Sequence, residues 1–485
     1  MHTSLTYKIL QGSSGKTFDL NVNNASEILK EIQRLSEEGR IPPYTRELFI
    51  LEDKLLGLED RVVRIPEVYE GYWLNPSIFL LEVDWSGLTH IIKNKTGEPV
   101  KGKTYILGWK TPDGAVQMEE GREDLILALK IASEAHDLKG LSLETGKSIS
   151  FFNSVLYKAE RVGLIKRPLS NLVRRFGKNE IFKTDEFFTT ETFTLQWHIT
   201  QACDLHCKHC YDRSIRKSVS MDEALWILDD LYDFCSVKGV RGQVSFSGGN
   251  PFLHPHFFDI YKEAVDRGFI VAVLGNPVSE GDLKKLVSIK KPAFFQVSLE
   301  GLQKKNDWVR GEGHFERTIG FLSLLNKYGI YRMVMLTLTA DNMNEVIPLA
   351  EKLEGIVDTF TFNRLSLVGE GEKLSLPKRE DFNKFLKEYF DLSKKNDYMT
   401  LKDNFFNIIR YKSGFPPGGG CTGFGCGAAF NFVSLLPDGE VHACRKFPSK
   451  IGKIKERSLL EIYDSPLAER YREGPSACLD CKLRP

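Results

Sequence analysis

From Phe193 onward, short runs of apolar and β-branched residues alternate with longer stretches in which apolar residues recur every three or four positions. The short runs predict strands, and the longer stretches predict amphipathic helices. The expected strands are Phe193–Ile199, Gln243–Phe246, Ile270–Leu274, Phe294–Leu299, Met333–Leu338 and Thr359–Arg364. The expected helices are Asp222–Phe234, Phe257–Arg267, Glu280–Ser288, His314–Tyr328 and Asn344–Leu353. This alternation predicts a parallel α/β sheet, and six such units predict a partial (β/α)6 barrel that resembles an opened TIM barrel.

The first third of the chain has a different pattern. Leu88–Lys95 and Lys103–Trp109 are predicted to be two strands of a hairpin, and Glu120–His136 has the spacing of an amphipathic helix. Two further helices are expected near Ser142–Thr145 and Ser150–Val162. A hairpin followed by helices resembles a winged-helix unit. Upstream, helices are expected at Asn24–Glu38, with Asn24 as N-cap, and at Glu47–Leu58.

Composition and charge exclude several classes of protein. The chain has 485 residues, enough for two to four domains, and 42% of them are hydrophobic and 27% charged, as in ordinary globular proteins. Lys and Arg number 66 against 65 Asp and Glu, a balance that disfavours a general nucleic-acid or membrane-surface binder. No run approaches the roughly 18 apolar residues of a membrane span, and the first ten residues lack the apolar core of a signal peptide. We therefore expect a cytoplasmic protein.

The cysteines are concentrated in two groups. Eight of the nine lie between 203 and 210 or between 421 and 481, whereas Cys235 stands alone on a predicted helix and is expected to be a buried small hydrophobe. Long stretches without cysteine disfavour a disulfide framework. The two groups instead predict metal-binding thiols in a reducing compartment.

Cys203, Cys207 and Cys210 lie on the loop that leaves the first predicted barrel strand. Three thiolates at this spacing can ligate three irons of a four-iron cluster, which leaves the fourth iron open to a ligand. A zinc site is the alternative, with His206 or His209 as its fourth ligand. Active sites of parallel barrels lie at the carboxyl ends of the strands, which is where this loop begins.

The Cys-x3-Cys-x2-Cys pattern after a first barrel strand, with His209 before the last cysteine, resembles the signature of radical S-adenosylmethionine (radical SAM) enzymes. The resemblance implies that Cys203, Cys207 and Cys210 hold a catalytic [4Fe-4S] cluster whose open iron binds S-adenosyl-L-methionine. It also implies an electron donor such as flavodoxin or ferredoxin. One electron then cleaves the sulfonium, and a 5′-deoxyadenosyl radical abstracts hydrogen from the substrate.

Further motifs at the predicted strand ends support the resemblance. Gly248-Gly249-Asn250-Pro251 is similar to the family's Gly-Gly-Glu-Pro motif, which holds the amino group of the cofactor, but Asn250 replaces the charged Glu. Ser298-Leu299-Glu300-Gly301 is similar to a Ser-Leu-Asp-Gly segment whose hydroxyl contacts the ribose. We therefore expect the residues that match these motifs, together with Asn276 and Asn363 at the ends of predicted strands, to lie at the cofactor: His209, Gly248, Gly249, Asn250, Pro251, Asn276, Ser298, Glu300, Arg310 and Asn363.

The second cysteine group surrounds a predicted hairpin. Cys426 and Cys444 flank the turn signal Leu436-Pro437-Asp438-Gly439-Glu440, and a Cys-x2-Cys pair, Cys478 and Cys481, follows. Four thiolates can fully ligate a second cluster, with a zinc ribbon as the alternative. The pattern resembles the SPASM/twitch extension of radical SAM enzymes, in its shorter form with one auxiliary [4Fe-4S] cluster. Cys421 is a fifth thiol that replaces a ligand, reaches substrate or has no role.

Radical SAM enzymes with this extension mostly modify peptides or proteins, so the resemblance implies a maturase of a ribosomally made precursor peptide. Residues 85–170 are then expected to bind the precursor as an added strand, as recognition elements in such enzymes do. The alternatives are a sulfatase-maturase-like modifier, a small-alcohol dehydrogenase, and an iron–sulfur redox sensor that binds DNA through the winged helix. The last predicted helix of that unit is only weakly basic, which disfavours DNA.

The expected domains are an unassigned N-terminal α/β region (1–84), a winged-helix-like peptide-recognition domain (85–170), a linker (171–192), the radical SAM partial barrel (193–395) and the twitch/SPASM-like cluster domain (396–485).

Overall fold

The computed structural model describes residues 4–14, 25–174, 181–182, 187–421, 425–478 and 480–483. The chain divides into two compact units, Met1–Leu169 and Ser170–Pro485. The predicted N-cap Asn24 and part of the predicted linker lie outside the described residues. The predicted boundary between residues 84 and 85 falls inside a strand of the first unit.

The first unit consists of helices around a small antiparallel sheet. Its helices are α1 (Leu5–Ser14), α2 (Ala25–Glu37), α3 (Thr45–Glu59), α4 (Leu88–Asn94), α5 (Glu123–Ser133), α6 (Leu138–Thr145) and α7 (Ile149–Arg161). Its strands are β1 (Trp73–Leu74), β2 (Phe79–Ser86), β3 (Val100–Lys110), β4 (Val116–Glu120) and β5 (Ile165–Lys166). Strands β2, β3 and β4 form an antiparallel sheet in that order, and β1 pairs with β5.

The prediction of a strand at Leu88–Lys95 was wrong, because that segment is helix α4. Gly87 has φ +92°, a left-handed conformation that ends β2 and starts the helix. Leu88 and Ile91, three positions apart, are buried on one face of the helix. The strand that pairs with β3 is Phe79–Ser86 instead. The strand predicted at Lys103–Trp109 and the helices predicted on either side of this sheet are confirmed.

The second unit contains all six predicted barrel strands. The strands are β6 (Thr192–Thr200), β7 (Arg241–Gly248), β8 (Ile270–Leu274), β9 (Phe295–Ser298), β10 (Arg332–Leu338), β11 (Thr359–Arg364), β12 (Phe432–Leu435), β13 (Glu440–His442) and β14 (Lys450–Lys453). The helices are α8 (Met221–Lys238), α9 (Phe257–Asp266), α10 (Glu280–Ile289), α11 (Gln303–Arg310), α12 (His314–Lys327), α13 (Val346–Lys352), α14 (Arg379–Ser393), α15 (Phe406–Lys412), α16 (Leu459–Tyr463) and α17 (Pro466–Glu473).

Strands β6 to β11 lie side by side in chain order, and every neighbouring pair is parallel. The helices between them cover the sheet, and large apolar residues of the strands, such as Trp197, Phe246 and Phe295, are fully buried. The first of these helices, α8, begins with a capping box formed by Ser220 and Glu223. The prediction of a partial parallel barrel is confirmed.

The C-terminal hairpin extends the barrel sheet. Strand β12 pairs in parallel with β6, and β13 and β14 follow as antiparallel neighbours, which completes nine strands in the part of the chain that the structure describes. Periodicity predicted the hairpin but not its attachment to the first barrel strand. No helix of the described residues is long and apolar enough to cross a membrane.

Candidate iron–sulfur site at the carboxyl edge of the barrel

The cysteine loop begins where β6 ends. Cys203 is exposed, and Cys207 and Cys210 are partly buried. Burial raises the pKa of the Cys207 thiol, and the negative charge of the neighbouring thiolates raises it further. That these three thiols hold one cluster stays a prediction.

Two side chains, one just after β8 and one at the end of α11, donate to these sulfurs. Asn276 Nδ2 lies 3.7 Å from Cys203 Sγ, and Arg310 Nη1 lies 3.7 Å from Cys207 Sγ. Both interactions lower the thiol pKa against the effect of burial. Donors of this kind orient the ligands of a metal centre and tune its charge.

Glu300 is the centre of a buried charge network beside the loop. Its Oε1 accepts hydrogen bonds from Arg310 Nε (2.9 Å) and Nη2 (2.5 Å) and lies 2.9 Å from His209 Nε2. Its Oε2 accepts from the Thr337 backbone N–H (2.8 Å). Burial raises the pKa of Glu300, but the charges of His209 and Arg310 outweigh burial and hold the pKa at about 2. His209, offered above as a zinc ligand, therefore faces a carboxylate.

The two glycines of the Gly-Gly turn pack directly on the cysteine loop. A Cβ atom at Gly248 would lie 2.1 Å from the Thr200 carbonyl oxygen, and one at Gly249 would lie 2.1 Å from the Ala202 carbonyl oxygen. The Asn250 backbone N–H donates to the same Ala202 oxygen at 2.7 Å. The turn therefore requires glycine in order to support the loop that carries the cysteines.

Asn250, the departure from the expected Glu, has a partner that the sequence interpretation missed. Asn250 Nδ2 donates to Asp204 Oδ1 (3.1 Å), and Asn276 Nδ2 donates to the same oxygen (2.6 Å). Asp204 thus supplies a carboxylate next to residue 250. A Glu at position 250 would add a second carboxylate, and the two would repel each other. The available signal was a charged residue beside the first cysteine of the loop.

The remaining predicted cofactor residues lie at strand ends of the same edge. Pro251 begins a short 3-10 helix after β7, Ser298 ends β9 in register with Met335, and Asn363 lies near the end of β11. Lys446 Nζ donates to Asn363 Oδ1 at 2.7 Å. Their contacts with the cofactor remain predictions.

The auxiliary thiols surround the hairpin of β12 and β13. The backbone N–H of Gly425, next to Cys426, donates to the carbonyl oxygen of Gly419, two residues before Cys421, at 2.8 Å. Electrostatic interaction links both of these thiols to Cys444, whose pKa rises to about 11, mainly through burial. Cys421 therefore influences two of the predicted ligands, and its own role stays a prediction.

Cys478 and Cys481 lie together in the final turn of the chain, where the Cys481 N–H donates to the Cys478 carbonyl oxygen at 3.1 Å. Among the described residues, no three Cys, His, Asp or Glu side chains form a group that could hold a metal ion. The donor set at both places nonetheless consists of thiols, which suit iron–sulfur clusters, and the first trio has N–H donors aimed at its sulfurs. The residues therefore fit the implied clusters.

Comparison with known proteins agrees with this arrangement. Residues 197–353 match the Radical SAM superfamily, and residues 426–482 match SPASM, an iron-sulfur cluster-binding domain. The chain therefore contains a radical SAM domain, which implies a [4Fe-4S] cluster and S-adenosylmethionine. More particularly, it carries a C-terminal SPASM domain, which binds auxiliary iron–sulfur.

Three known proteins are similar in sequence to part of this chain. The subtilosin biosynthesis protein AlbA of Bacillus subtilis is 28% identical over 56% of this chain and 60% of AlbA. The mycofactocin maturase MftC of Mycolicibacterium smegmatis is 26% identical over 52% of this chain and 63% of MftC. An AdoMet-dependent heme synthase of Methanosarcina barkeri is 26% identical over 58% of this chain and 83% of that protein. The matches thus span less than two thirds of AlbA and of MftC.

Proposed function

We propose that this chain is a radical SAM maturase that modifies a ribosomally made precursor peptide. The observation that carries the proposal is the presence of two sets of thiols on one continuous sheet, one after β6 and one around the hairpin that pairs with β6. A second cluster beside the radical site suits oxidative chemistry, because it can accept the electron left on a substrate radical. The bacteriocin biosynthesis protein and the maturase among the relatives support a peptide substrate.

In this proposal the protein's own groups hold and orient the cofactors. Cys203, Cys207 and Cys210 hold the first cluster, and Arg310 and Asn276 stabilise their thiolates through the donations described above. Bound S-adenosylmethionine supplies a 5′-deoxyadenosyl radical when the cluster is reduced by a donor such as flavodoxin or ferredoxin. The carbonyls of the Gly-Gly turn and the hydroxyl of Ser298 are the groups that we assign to the cofactor.

The edge of the three-stranded sheet in the first unit is the place that we assign to the precursor peptide. The Lys110 backbone N–H donates to Ser77 Oγ (2.9 Å), and the Lys110 carbonyl oxygen accepts from the Asn75 side chain. Both backbone groups of Lys110 therefore point away from β4. Because the direction of the backbone N–H and C=O groups alternates from residue to residue, those of Trp109 point towards β4, and those of its partner Gln117 point towards β3. Val116 and Met118 then direct their N–H groups outward. Because Lys93 Nζ of α4 already donates to the Met118 carbonyl oxygen at 2.9 Å, we assign the peptide strand to the Val116 end of this edge.

Binding at this edge is tested with one backbone substitution. Val116→Pro removes an outward N–H but no bond of the β3–β4 ladder, so we expect weaker binding of precursor peptide and unchanged cofactor cleavage. Val116→Ala keeps the N–H and is the matched control. The probe is a short cysteine-bearing peptide encoded beside this chain, and binding is measured by fluorescence anisotropy. Equal affinity of both variants and the wild type would contradict the assignment.

The overall reaction is tested with anaerobically reconstituted protein and a chemical reductant. We expect methionine and 5′-deoxyadenosine from S-adenosylmethionine, and a mass change in the peptide that depends on both clusters. Cofactor cleavage with every neighbouring peptide unchanged would refute the maturase function.

The heme synthase relative, aligned over 83% of its length, favours one second candidate: chemistry on a porphyrin. A shift of the porphyrin absorption band on mixing with the protein, together with porphyrin turnover, would establish it in place of the peptide.

A further inference from the structure

A buried ion pair joins the two cysteine-bearing segments of the second unit. Arg445 directly follows Cys444, and its Nη2 contacts Oδ2 of Asp212, which lies two residues after Cys210. The two side chains are only 12% and 11% exposed. The Arg445 guanidinium also lies over the Tyr211 ring, 4.6 Å from its centroid. An arginine fork held against both a carboxylate and an aromatic face has a fixed orientation.

A second arginine strengthens this connection. Arg216 Nη1 contacts Asp438 in the hairpin turn and lies 3.3 Å from Glu440 Oε2, while its Nε lies 3.8 Å from Asp212 Oδ2. Gln201 Nε2 donates to the same Asp212 oxygen at 2.9 Å. Asp212 therefore receives donors from both ends of the cysteine loop and from the hairpin.

The cysteine loop is itself tied to this network. Arg213, the residue next to Asp212, donates from Nη2 to the Cys207 carbonyl oxygen at 2.7 Å. Because Asp212 also lies only two residues after Cys210, a displacement of Asp212 would move the backbone that carries the ligands of the first centre. A displacement of Arg445 would move Cys444 through the adjoining peptide bond.

We propose that Asp212 and Arg445 are positioning residues that fix the loop of the first cluster relative to the auxiliary thiol Cys444, so that each centre responds to substitution at the other. This inference rests on the proposed function, because it assumes that both sets of thiols carry clusters. The consequence for the reaction is that loss of the pair separates cofactor cleavage from peptide modification. Substitution of residues that contact metal ligands commonly lowers activity by about 10- to 100-fold. We expect a loss of that size in peptide modification.

The test compares Asp212→Asn, Arg445→Gln and the double variant with Asp464→Asn. The control removes another ion pair between the barrel and the C-terminal region, in which Lys238 Nζ lies 2.7 Å from an exposed Asp464 carboxylate. Electron paramagnetic resonance of the reduced protein is recorded in two backgrounds, Cys444→Ala for the first centre and Cys203→Ala for the auxiliary centre.

We expect Arg445→Gln to alter the signal of the first centre and Asp212→Asn to alter that of the auxiliary centre. The double variant should change each signal no more than the single variants do. Arg445→Lys keeps the charge but loses the fork, and it should fall between wild type and Arg445→Gln. In cluster-free protein, amide hydrogen exchange over residues 201–216 should be faster in Arg445→Gln than in Asp464→Asn. Signals and exchange equal to those of the control would overturn the proposal.

The two proposals fail separately. If the protein binds clusters but never cleaves S-adenosylmethionine, the maturase function is refuted, and the cross-effects on the two signals still decide the role of the ion pair. If a variant does not fold, Arg445→Lys and the exchange measurement decide it.

Discussion

Glu300 provides the sharpest test of the buried charge network. Its carboxylate is completely buried, and it binds the guanidinium of Arg310, the imidazole of His209 and the backbone N–H of Thr337. Glu300→Gln keeps the size and one acceptor oxygen but removes the negative charge. Arg310, whose side chain is 10% exposed, would then be a buried cation without its counterion.

Breaking a buried ion pair on one side costs about 3–5 kcal/mol, and we expect the lower end because the Gln oxygen still accepts one hydrogen bond. A loss of about 3 kcal/mol corresponds to a fall in melting temperature of about 5 °C for a unit of this size. The assay is anaerobic scanning fluorimetry of the reconstituted protein.

The matched control is Glu280→Gln, which breaks a pair with Lys327 (2.9 Å) at the protein surface. Exposed ion pairs contribute little, because water screens them, so the melting temperature should hardly change. If both variants melt at the wild-type temperature, or if both lose the same amount, the buried network does not stabilise the barrel edge as argued.

Four further outcomes are expected. Cys203→Ala should lose about one cluster's worth of iron by elemental analysis and all cofactor cleavage, and cleavage that persists would contradict the assignment. Cys444→Ala should still cleave S-adenosylmethionine but yield no modified peptide by mass spectrometry, and normal product would remove the auxiliary role. Asn250→Glu should lower cluster occupancy by setting a second carboxylate against Asp204, and added Asp204→Asn should restore it. Burial lowers the pKa of His314 from 6.5 to about 4, so the unfolded state takes up a proton before the folded state does as the pH falls. The stability that is present above pH 6.5 should therefore decrease towards pH 4. A melting temperature independent of pH over that range would contradict this.

Periodicity and motif spacing predicted much of the second unit. The six barrel strands follow from short apolar runs bounded by turn residues, and the cysteine loop follows from three thiols after the first of them. Parallel strands place their carboxyl ends at one edge of the sheet, so the sequence alone could predict that Asn276, Ser298 and Cys203 lie at the same edge. The error at Leu88–Lys95 has a local cause, since seven residues with apolar positions at 88, 91 and 92 suit a short helix and a strand alike, and the left-handed Gly87 decided between them.

The sequence by itself determined which residues can ligate metal and which strand ends they follow, because both depend on residue type and on spacing along the chain. Only the tertiary structure decided that β12 pairs with β6, that Arg445 reaches Asp212, and that Asp204 receives the amides of Asn250 and Asn276. These contacts join residues separated by up to 238 positions, as between Ser434 and Gln196. Local pattern carries no information about such pairs, since their geometry is fixed by how the sheet closes and not by neighbouring residues.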